Sequence, residues 1–351
     1  MPQSRQRATI LEVAHAAGTS KTSVSRYFGG ERERLSRELQ GRIAAAARRL
    51  GYRPNQMARG LKGGRSRLIG MLVADIRNPY SVAVMHGVEQ ACRARGYSLL
   101  VGNTDNDPAQ ERRHLALLAA YRVEGLVINA AGSPDRELAR LAEQGTPLVL
   151  VDRELGEVPA DVVGLDNARA IDQALDHLQA AGYREVLYLS EPPDQASSRR
   201  ARLARFRHGL AAHGLSGEAR CLSIGHGPAA VGEVIDGVLA SPATIPRALL
   251  CANGNLTLAV TRHLQAHGTP LGEVGLMGID ELDWCELVGP GITTLAQPTD
   301  AIGRAAVENL LQRLESPQPA SPPRRTRYQA QLIPRGSTRL PFHHDRSQES
   351  P

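Results

Sequence analysis

Between residues 68 and 314 the chain alternates short, continuous apolar runs with longer segments of helical period, and this rhythm restricts its fold more than any other feature. The run 68–74, LIGMLVA, is apolar throughout, as a strand buried on both faces requires. A helical pattern follows at 82–95, then a strand at 98–102 and a helix at 110–120. Strands are expected at 126–129 and 148–151, with a helix near 137–143 between them. The order then restarts: helix 168–181, strand 186–189, helix 199–212, strand 249–252, helix 256–265, strand 275–279. Strands spaced by helices join as parallel neighbours through right-handed crossovers, so two successive blocks predict two doubly wound α/β lobes. A strand at 293–295 and a helix at 302–314 would return the chain to the first lobe.

Charge divides the chain differently. Up to Arg67 there are 15 Lys or Arg against 4 Glu, a balance of +11. The whole chain carries +6, so the remainder is at 6 − 11 = −5. A basic head suits phosphate neutralisation while an acidic body stays off a polyanion. Both lysines, Lys21 and Lys62, lie in that head. The four cysteines, Cys92, Cys221, Cys251 and Cys285, have no metal-ligand spacing, so neither zinc nor a disulfide is expected, and no cofactor. The N-terminus is polar and no apolar run approaches membrane-spanning length, which predicts a cytoplasmic protein.

Within the basic head, residues 9–28 read TILEVAHAAGTSKTSVSRYF. Thr9 and Glu12 form a capping-box pattern, and Ile10, Val13 and Ala14 share the face of a first helix. Gly18 supplies a tight turn. Ser20 then caps a second helix that presents Lys21, Thr22, Ser23, Ser25 and Arg26 outward, while Ala17 and Val24 point inward. Alanine-rich helix pairs occur in many small units. Short polar groups and a guanidinium at an exposed helix start, however, suit hydrogen bonding to base edges in a major groove, the chemistry of a helix-turn-helix. A third helix fits 37–50, capped by Ser36, with Leu39, Ile43, Ala46 and Leu50 on one face. The segment YRPNQMARGLKGGRSR follows. Its glycines weaken any helix there, so it reads as a linker or as a segment that folds against DNA, with Leu61 available as an apolar wedge for a base step.

The helix-turn-helix followed by YRPNQMARGLK resembles the lactose-repressor (LacI) family of bacterial transcription regulators, and the resemblance runs to about Arg335. It implies a headpiece at 1–52 and a hinge helix and linker at 53–66. A two-lobed, periplasmic-binding-protein-like core follows at 67–340, with a disordered tail at 341–351. The first lobe would comprise about 67–164 and 296–326, the second about 165–295 and 327–340. By the same resemblance, Lys21, Thr22 and Arg26 read bases. Thr9, Ser20, Ser23, Ser25, Asn55, Met57 and Ala58 complete the DNA contacts, and Leu61 enters the minor groove beside its dimer mate. The dimer face would involve Val84, Val88 and Cys92, residues that also suit a core.

Open α/β sheets bind ligands beyond the carboxyl ends of their strands. Here those ends carry Asp75, Asn78 and Tyr80, then Asn129, then Asp152 and Arg153. The second block adds Ser197, Ser198 and Arg202, then Asn253 and Asn255, then Asp280 and Trp284. Singly, Asp152 fits a strand-end cap, Arg202 a surface charge and Trp284 simple packing. Together, amides, carboxylates, a guanidinium and aromatic rings compose a sugar site. Asn78, Tyr80, Asn129, Asp152, Ser198, Arg202, Asn253, Asp280 and Trp284 are therefore the expected effector contacts. Two positions depart from the family pattern: Gly254 stands where an Asp is usual, which would enlarge the pocket or shift its turn, and Arg205 replaces a Gly. Arg205, if turned inward, would favour an acidic effector.

The segment DELDWCELVGPGITTLAQP resembles the family's branch that responds to gluconate or 2-ketogluconate. The resemblance implies a homodimeric repressor, released from a palindromic operator by a sugar acid in the interlobe cleft. A neutral sugar effector and a purine-like co-repressor share the same architecture. A transport-type binding protein would need a signal peptide and no basic head. A hydrolase is disfavoured because GxSxG, GxxxxGK and HExxH patterns are missing, so the protein is not read as an enzyme.

Overall fold

A computed structural model describes residues 8–53, 65–129, 136–154, 158–222, 228–240, 245–315 and 322–340. These fall into two compact units, residues 1–66 and 67–351. The expected hinge contacts Asn55, Met57, Ala58 and Leu61, and the tail 341–351, lie outside the described residues.

The first unit holds α1 (Ile10–Ala16), α2 (Lys21–Gly29), a 3₁₀ turn (Arg32–Arg34) and α3 (Arg37–Arg49). The capping box forms: the Thr9 backbone N–H donates to Glu12 Oε2 at 2.6 Å, and the Glu12 N–H donates to Thr9 Oγ1 at 3.3 Å. The bond from the Thr9 N–H, and then that from its hydroxyl, hold the Glu12 carboxyl below its ordinary range. Ser20 and Ser36 cap α2 and α3 by accepting from Ser23 and Leu39. Gly18 at φ 62° makes the turn between α1 and α2, a conformation that costs glycine little. Val13, Ala14, Ala17, Val24, Ile43, Ala46 and Ala47 form the core of the unit. Leu50, expected on that buried face, instead lies exposed as the cap residue of α3.

The second unit contains two six-stranded sheets. The first half of its chain runs β1 (Leu68–Val73), α4 (Pro79–Ala94), β2 (Ser98–Asn103), α5 (Pro108–Ala120), β3 (Gly125–Ile128), α6 (Arg136–Glu143), β4 (Leu148–Val151) and β5 (Asp161–Leu165). The second half runs α7 (Asn167–Ala180), β6 (Glu185–Ser190), α8 (Ser197–Ala212), β7 (Ser216–Cys221), α9 (Pro228–Ala240), β8 (Arg247–Cys251), α10 (Gly254–Ala266) and β9 (Gly275–Ile279). Then come β10 (Thr293–Ala296), α11 (Thr299–Glu315), β11 (Arg325–Tyr328) and β12 (Gln331–Ile333). The first sheet has the order β11-β5-β4-β3-β1-β2, and the second β12-β10-β9-β8-β6-β7. All neighbours are parallel except β10 and β12. The chain passes between lobes three times, after β5, after β10 and after β11. Strand β11 stays in the first sheet to Tyr328, two residues beyond the expected boundary at 326.

Five elements were not anticipated. Strands β7 (SGEARC) and β11 (RTRY) are polar because each lies at a sheet edge, where only part of the surface is buried. Strand β12 has only three residues, β5 opens on Asp161 and carries Gly164, and Gly232 and Gly237 interrupt the helical pattern of α9. Helix α4 starts three residues earlier than expected, because Asn78 Oδ1 accepts from Tyr80 N and Pro79 occupies the first turn.

Each lobe has its own core. In the first, Ile69, Met71 and Val73 face α4 and α11 on one side of the sheet, and Leu72 and Leu126 face α5 on the other. Val84, Val88 and Cys92 belong to this core, at 1%, 0% and 1% exposure, so they pack inward instead of forming a dimer face. Helices α4 and α11 cross backbone to backbone: a Cβ on Gly303 would lie 2.5 Å from Val84 O, and one on Gly87 2.7 Å from Asp300 O. In the second lobe the rings of Tyr188 and Phe206 stack at 4.9 Å within the core. Among the described residues no helix is long and apolar enough to cross a membrane.

Candidate functional site

In the first unit α2 buries Val24 and leaves Lys21, Thr22, Ser25 and Arg26 exposed, with Ser23 half-buried beside its cap. Cationic and short polar groups thus stand on the free face of a helix whose other face is fixed by the core. Glu31 lies 4.0 Å from Arg26 and 3.2 Å from Arg34, both on the surface. An exposed pair of this kind contributes little, so Arg26 can exchange it for a base or phosphate partner.

In the second unit the carboxyl ends of both sheets converge on one cavity. Asn78, Tyr80, Asn129 and Asp152 line it from the first lobe, and Ser198, Arg202, Asn253 and Asp280 from the second. Trp284 does not. It sits in the 3₁₀ turn Asp283–Cys285, which buries Cys285 and lays the indole against the apolar cluster of the second lobe. Tyr80 is the aromatic side chain in the lining.

Arg202 is the centre of the polar network. It is 5% exposed; its Nε donates to Asn167 Oδ1 at 2.6 Å and one terminal nitrogen to Ala252 O at 2.7 Å. Its other terminal nitrogen stands 4.0 Å from Asp152 Oδ1. Asp152 in turn accepts from Ser198 Oγ at 3.1 Å. Asp280 accepts from Gly254 N at 3.0 Å and Gln297 Nε2 at 2.7 Å. Asp152 and Asp280 hold left-handed backbone, φ 62° and 85°, which turns each side chain off its strand end. Such conformations cost a non-glycine residue of order 1–3 kcal/mol and persist only where surrounding structure imposes them. At Asp152 the turn leans on Gly164, where a Cβ would come within 3.1 Å of the Asp152 Cα.

Burial raises the Asp280 carboxyl above its ordinary value, against the opposing pull of Arg202 and the bonds from Gly254 and Gln297. It also pushes the Tyr80 phenol well up, with Asp152 and Asp280 adding to the effect. Burial lowers Arg153, which Asp152 counteracts. At the cavity, Tyr80 Oη, Asp152 Oδ1 and Gln297 Oε1 are buried and have no hydrogen-bond partner among the described residues. A ligand carrying hydroxyls can satisfy them.

Two of the expected departures acquire a cause. A Cβ on Gly254 would lie 2.7 Å from Leu282 Cδ1, so this residue permits close approach of the α10 N-terminus to Leu282 and Asp280 and adds no space to the cavity. Arg205 points away from the cavity, pairing with Asp172 on α7 at 2.6 Å. Glu191, Arg199 and Gln297 also line the site, although they were not anticipated. Glu191 directly follows β6 and accepts from Arg199 at 2.6 Å and Asn253 at 2.7 Å. Gln297 directly follows β10. The strand-end rule locates both once those strand boundaries are known.

Two doubly wound lobes with a polar cavity at their junction, on one chain with a helix-turn-helix, define a ligand-responsive DNA-binding regulator. Residues 9–55 match "Bacterial regulatory proteins, lacI family", and residues 175–338 match "Periplasmic binding protein-like domain". The chain is 54% identical over 340 residues to the HTH-type transcriptional regulator PtxS of Pseudomonas plecoglossicida, covering 96% of this chain and 98% of that one. It is 38% identical over 334 residues to the HTH-type transcriptional regulator KdgR of Bacillus subtilis, covering 94% and 97%. Its fold matches the lac repressor dimer bound to operator and the anti-inducer ONPF, with a TM-score of 0.80 at 22% identity, covering 95% of this chain and 100% of that one. The chain belongs to the LacI family and is a DNA-binding transcriptional repressor of that family.

Proposed function

We propose that this protein is a cytoplasmic, homodimeric repressor whose effector is a sugar acid, gluconate or 2-ketogluconate, and that effector binding releases it from a palindromic operator. One observation carries the choice of an acid: three guanidinium groups, Arg153, Arg199 and Arg202, line one cavity. Two of the cavity's carboxylates are already paired with arginine, Glu191 with Arg199 and Asp75 with Arg77. Asp152 and Asp280 then face Arg153 and Arg202, and burial favours the neutral form of Asp280. The site therefore tolerates an added negative charge. Arg202 offers its fork to the ligand carboxylate, while Asp152, Asn253 and Asp280 hold hydroxyls.

At the headpiece, Lys21, Thr22 and Arg26 read base edges, and Thr9, Ser20, Ser23 and Ser25 support register on the phosphates. On the family pattern the hinge residue Leu61 is assigned to the minor groove, and Asn55, Met57 and Ala58 to further DNA contacts. Closing the cleft rotates one lobe against the other, and the coupling need be only ~1–3 kcal/mol, or about 5–150-fold in operator affinity.

Gel shifts on the DNA upstream of the protein's own gene test this reading, run with gluconate, 2-ketogluconate, glucose and ribose. Release by the acids alone is expected. Release by a neutral sugar alone would overturn the choice of effector, and tighter DNA binding with ligand would make the ligand a co-repressor.

A further inference from the structure

The outer face formed by α9 and α10 brings together three metal-ligating side chains, apart from the effector cavity. Asp236 lies on α9, His263 in the last turn of α10 and His267 four residues on as its C-cap, and their spacing in HLQAH puts both rings on one side. One ligand atom from each lies within 4.8 Å of the other two. His263 Nε2 is 2.6 Å from Asp236 Oδ1, and His267 Nε2 is 3.9 Å from the same oxygen.

Two further features suit a metal. His267 Nδ1 lies 2.9 Å from the backbone carbonyl oxygen of His263. A carbonyl can only accept, so Nδ1 carries a proton, which leaves Nε2, on the side of Asp236, as the nitrogen that can take a metal. A backbone partner on the far nitrogen is what orients metal-bound histidines. The His263 ring lies over Gly232, where a Cβ would stand 3.0 Å from Cε1 and 3.2 Å from Nδ1. The glycine leaves the room that the ring occupies.

We propose that Asp236, His263 and His267 bind one divalent ion of the zinc, nickel and copper class, tying α9 to α10. Two imidazole nitrogens and one carboxylate oxygen match the preferences of these ions, whereas magnesium and calcium take oxygen-rich shells. Ligand bonds of about 2.0–2.2 Å place neighbouring donors on one ion roughly 3–3.5 Å apart. His263 is the fixed anchor, 15% exposed, while Asp236 and His267 are about half exposed; the ion replaces the proton shared by His263 and Asp236, that pair opens slightly, and His267 moves in. Water completes the shell. The opposite end of α10, with its cap residue Asn253 and with Asn255, lines the effector cavity, so the ion braces the helix that presents them.

The test uses the full-length protein and the chlorides of zinc, nickel, copper and magnesium, read by titration calorimetry and thermal melting. One equivalent of zinc per chain is expected to bind saturably. The melting temperature should rise most with copper and not at all with magnesium. His267→Gln should weaken zinc binding by about tenfold or more, and His263→Gln with His267→Gln should abolish it. Asp236→Asn and His267→Gln alter exposed side chains and carry the test alone if the double variant does not fold. No saturable uptake by the wild type would overturn the proposal. So would one equivalent held as tightly by the variants, because other histidines or the exposed Cys221 would then be the ligands.

Discussion

Arg202→Lys separates charge from geometry at the effector cavity. The guanidinium spans two acceptors on different elements, Asn167 Oδ1 at the start of α7 and Ala252 O beyond β8, at 2.6 and 2.7 Å. An ammonium is a point donor and cannot hold both in a fork. Lysine keeps a positive charge near Asp152 and Asp280, so the cost is one charge-assisted hydrogen bond, about 1.5–3 kcal/mol, without two stranded carboxylates. Without ligand, the core should melt roughly 2.5–5 °C lower. A lost bidentate grip on the ligand carboxylate, at the same 1.5–3 kcal/mol, weakens binding by roughly 10- to 150-fold. Titration calorimetry with gluconate and 2-ketogluconate measures this, with gel shifts in parallel. Operator binding without ligand should be unchanged, because the DNA-reading helix is a separate folded unit. Ligand affinity within about twofold of wild type would show that Arg202 is a structural cross-brace and that the acid lies elsewhere.

Four other outcomes follow from the same geometry. Arg26→Ala should reduce the preference for operator over mismatched duplex by about 1–3 kcal/mol in competition gel shifts, with non-specific binding less affected. Gly303→Ala drives a methyl into the backbone of α4 and should cost roughly 1–3 kcal/mol or more in denaturant unfolding. Burial alone would raise Glu281, but Arg335 and Thr294 together hold it below its ordinary value. Its contribution is present above the ordinary carboxylate range and lost as pH falls through the lowered value. Glu281→Gln should thus lower the melting temperature at neutral pH and converge with wild type as pH falls through the lowered value. Finally, a ligand carboxylate beside the already raised Asp280 should draw a proton onto the site. Gluconate affinity should then fall with rising pH, with proton uptake visible in buffers of different ionisation enthalpy, and a neutral sugar should show neither.

Legibility in the sequence followed burial. The strands β1, β3, β4 and β8 are apolar at nearly every position because both faces are covered, and they stand out unaided. Capping chemistry located α1, α2 and α3 to within a residue, since Thr9, Ser20 and Ser36 act locally. The polar edge strands β11 and β7 did not stand out, because RTRY and SGEARC face water and pair through backbone that any side chain permits, whereas the apolar edge strand β2 did. Within the site, eight of the nine expected contacts meet in one cavity because strand ends are set by topology. Trp284 misled because a position after a strand does not fix which way a following 3₁₀ turn sends its side chain. The Arg205–Asp172 pair and the fit of Gly254 against Leu282 depend on contacts between distant segments, which no local pattern encodes.

The order of the strands also governs when the core can be completed during synthesis. Strand β11 closes one edge of the first sheet beside β5, and β12 closes one edge of the second beside β10. Both come from the last part of the chain, so on the ribosome neither sheet has its final edge until residues 325–333 have emerged. Until then β5 and β10 present unpaired backbone, the template on which chains aggregate. The three-helix unit draws only on residues before 53 and can form much earlier. A nascent chain thus acquires its DNA-reading surface long before the sensor that must control it, and a message truncated near codon 320 would yield the first without the second.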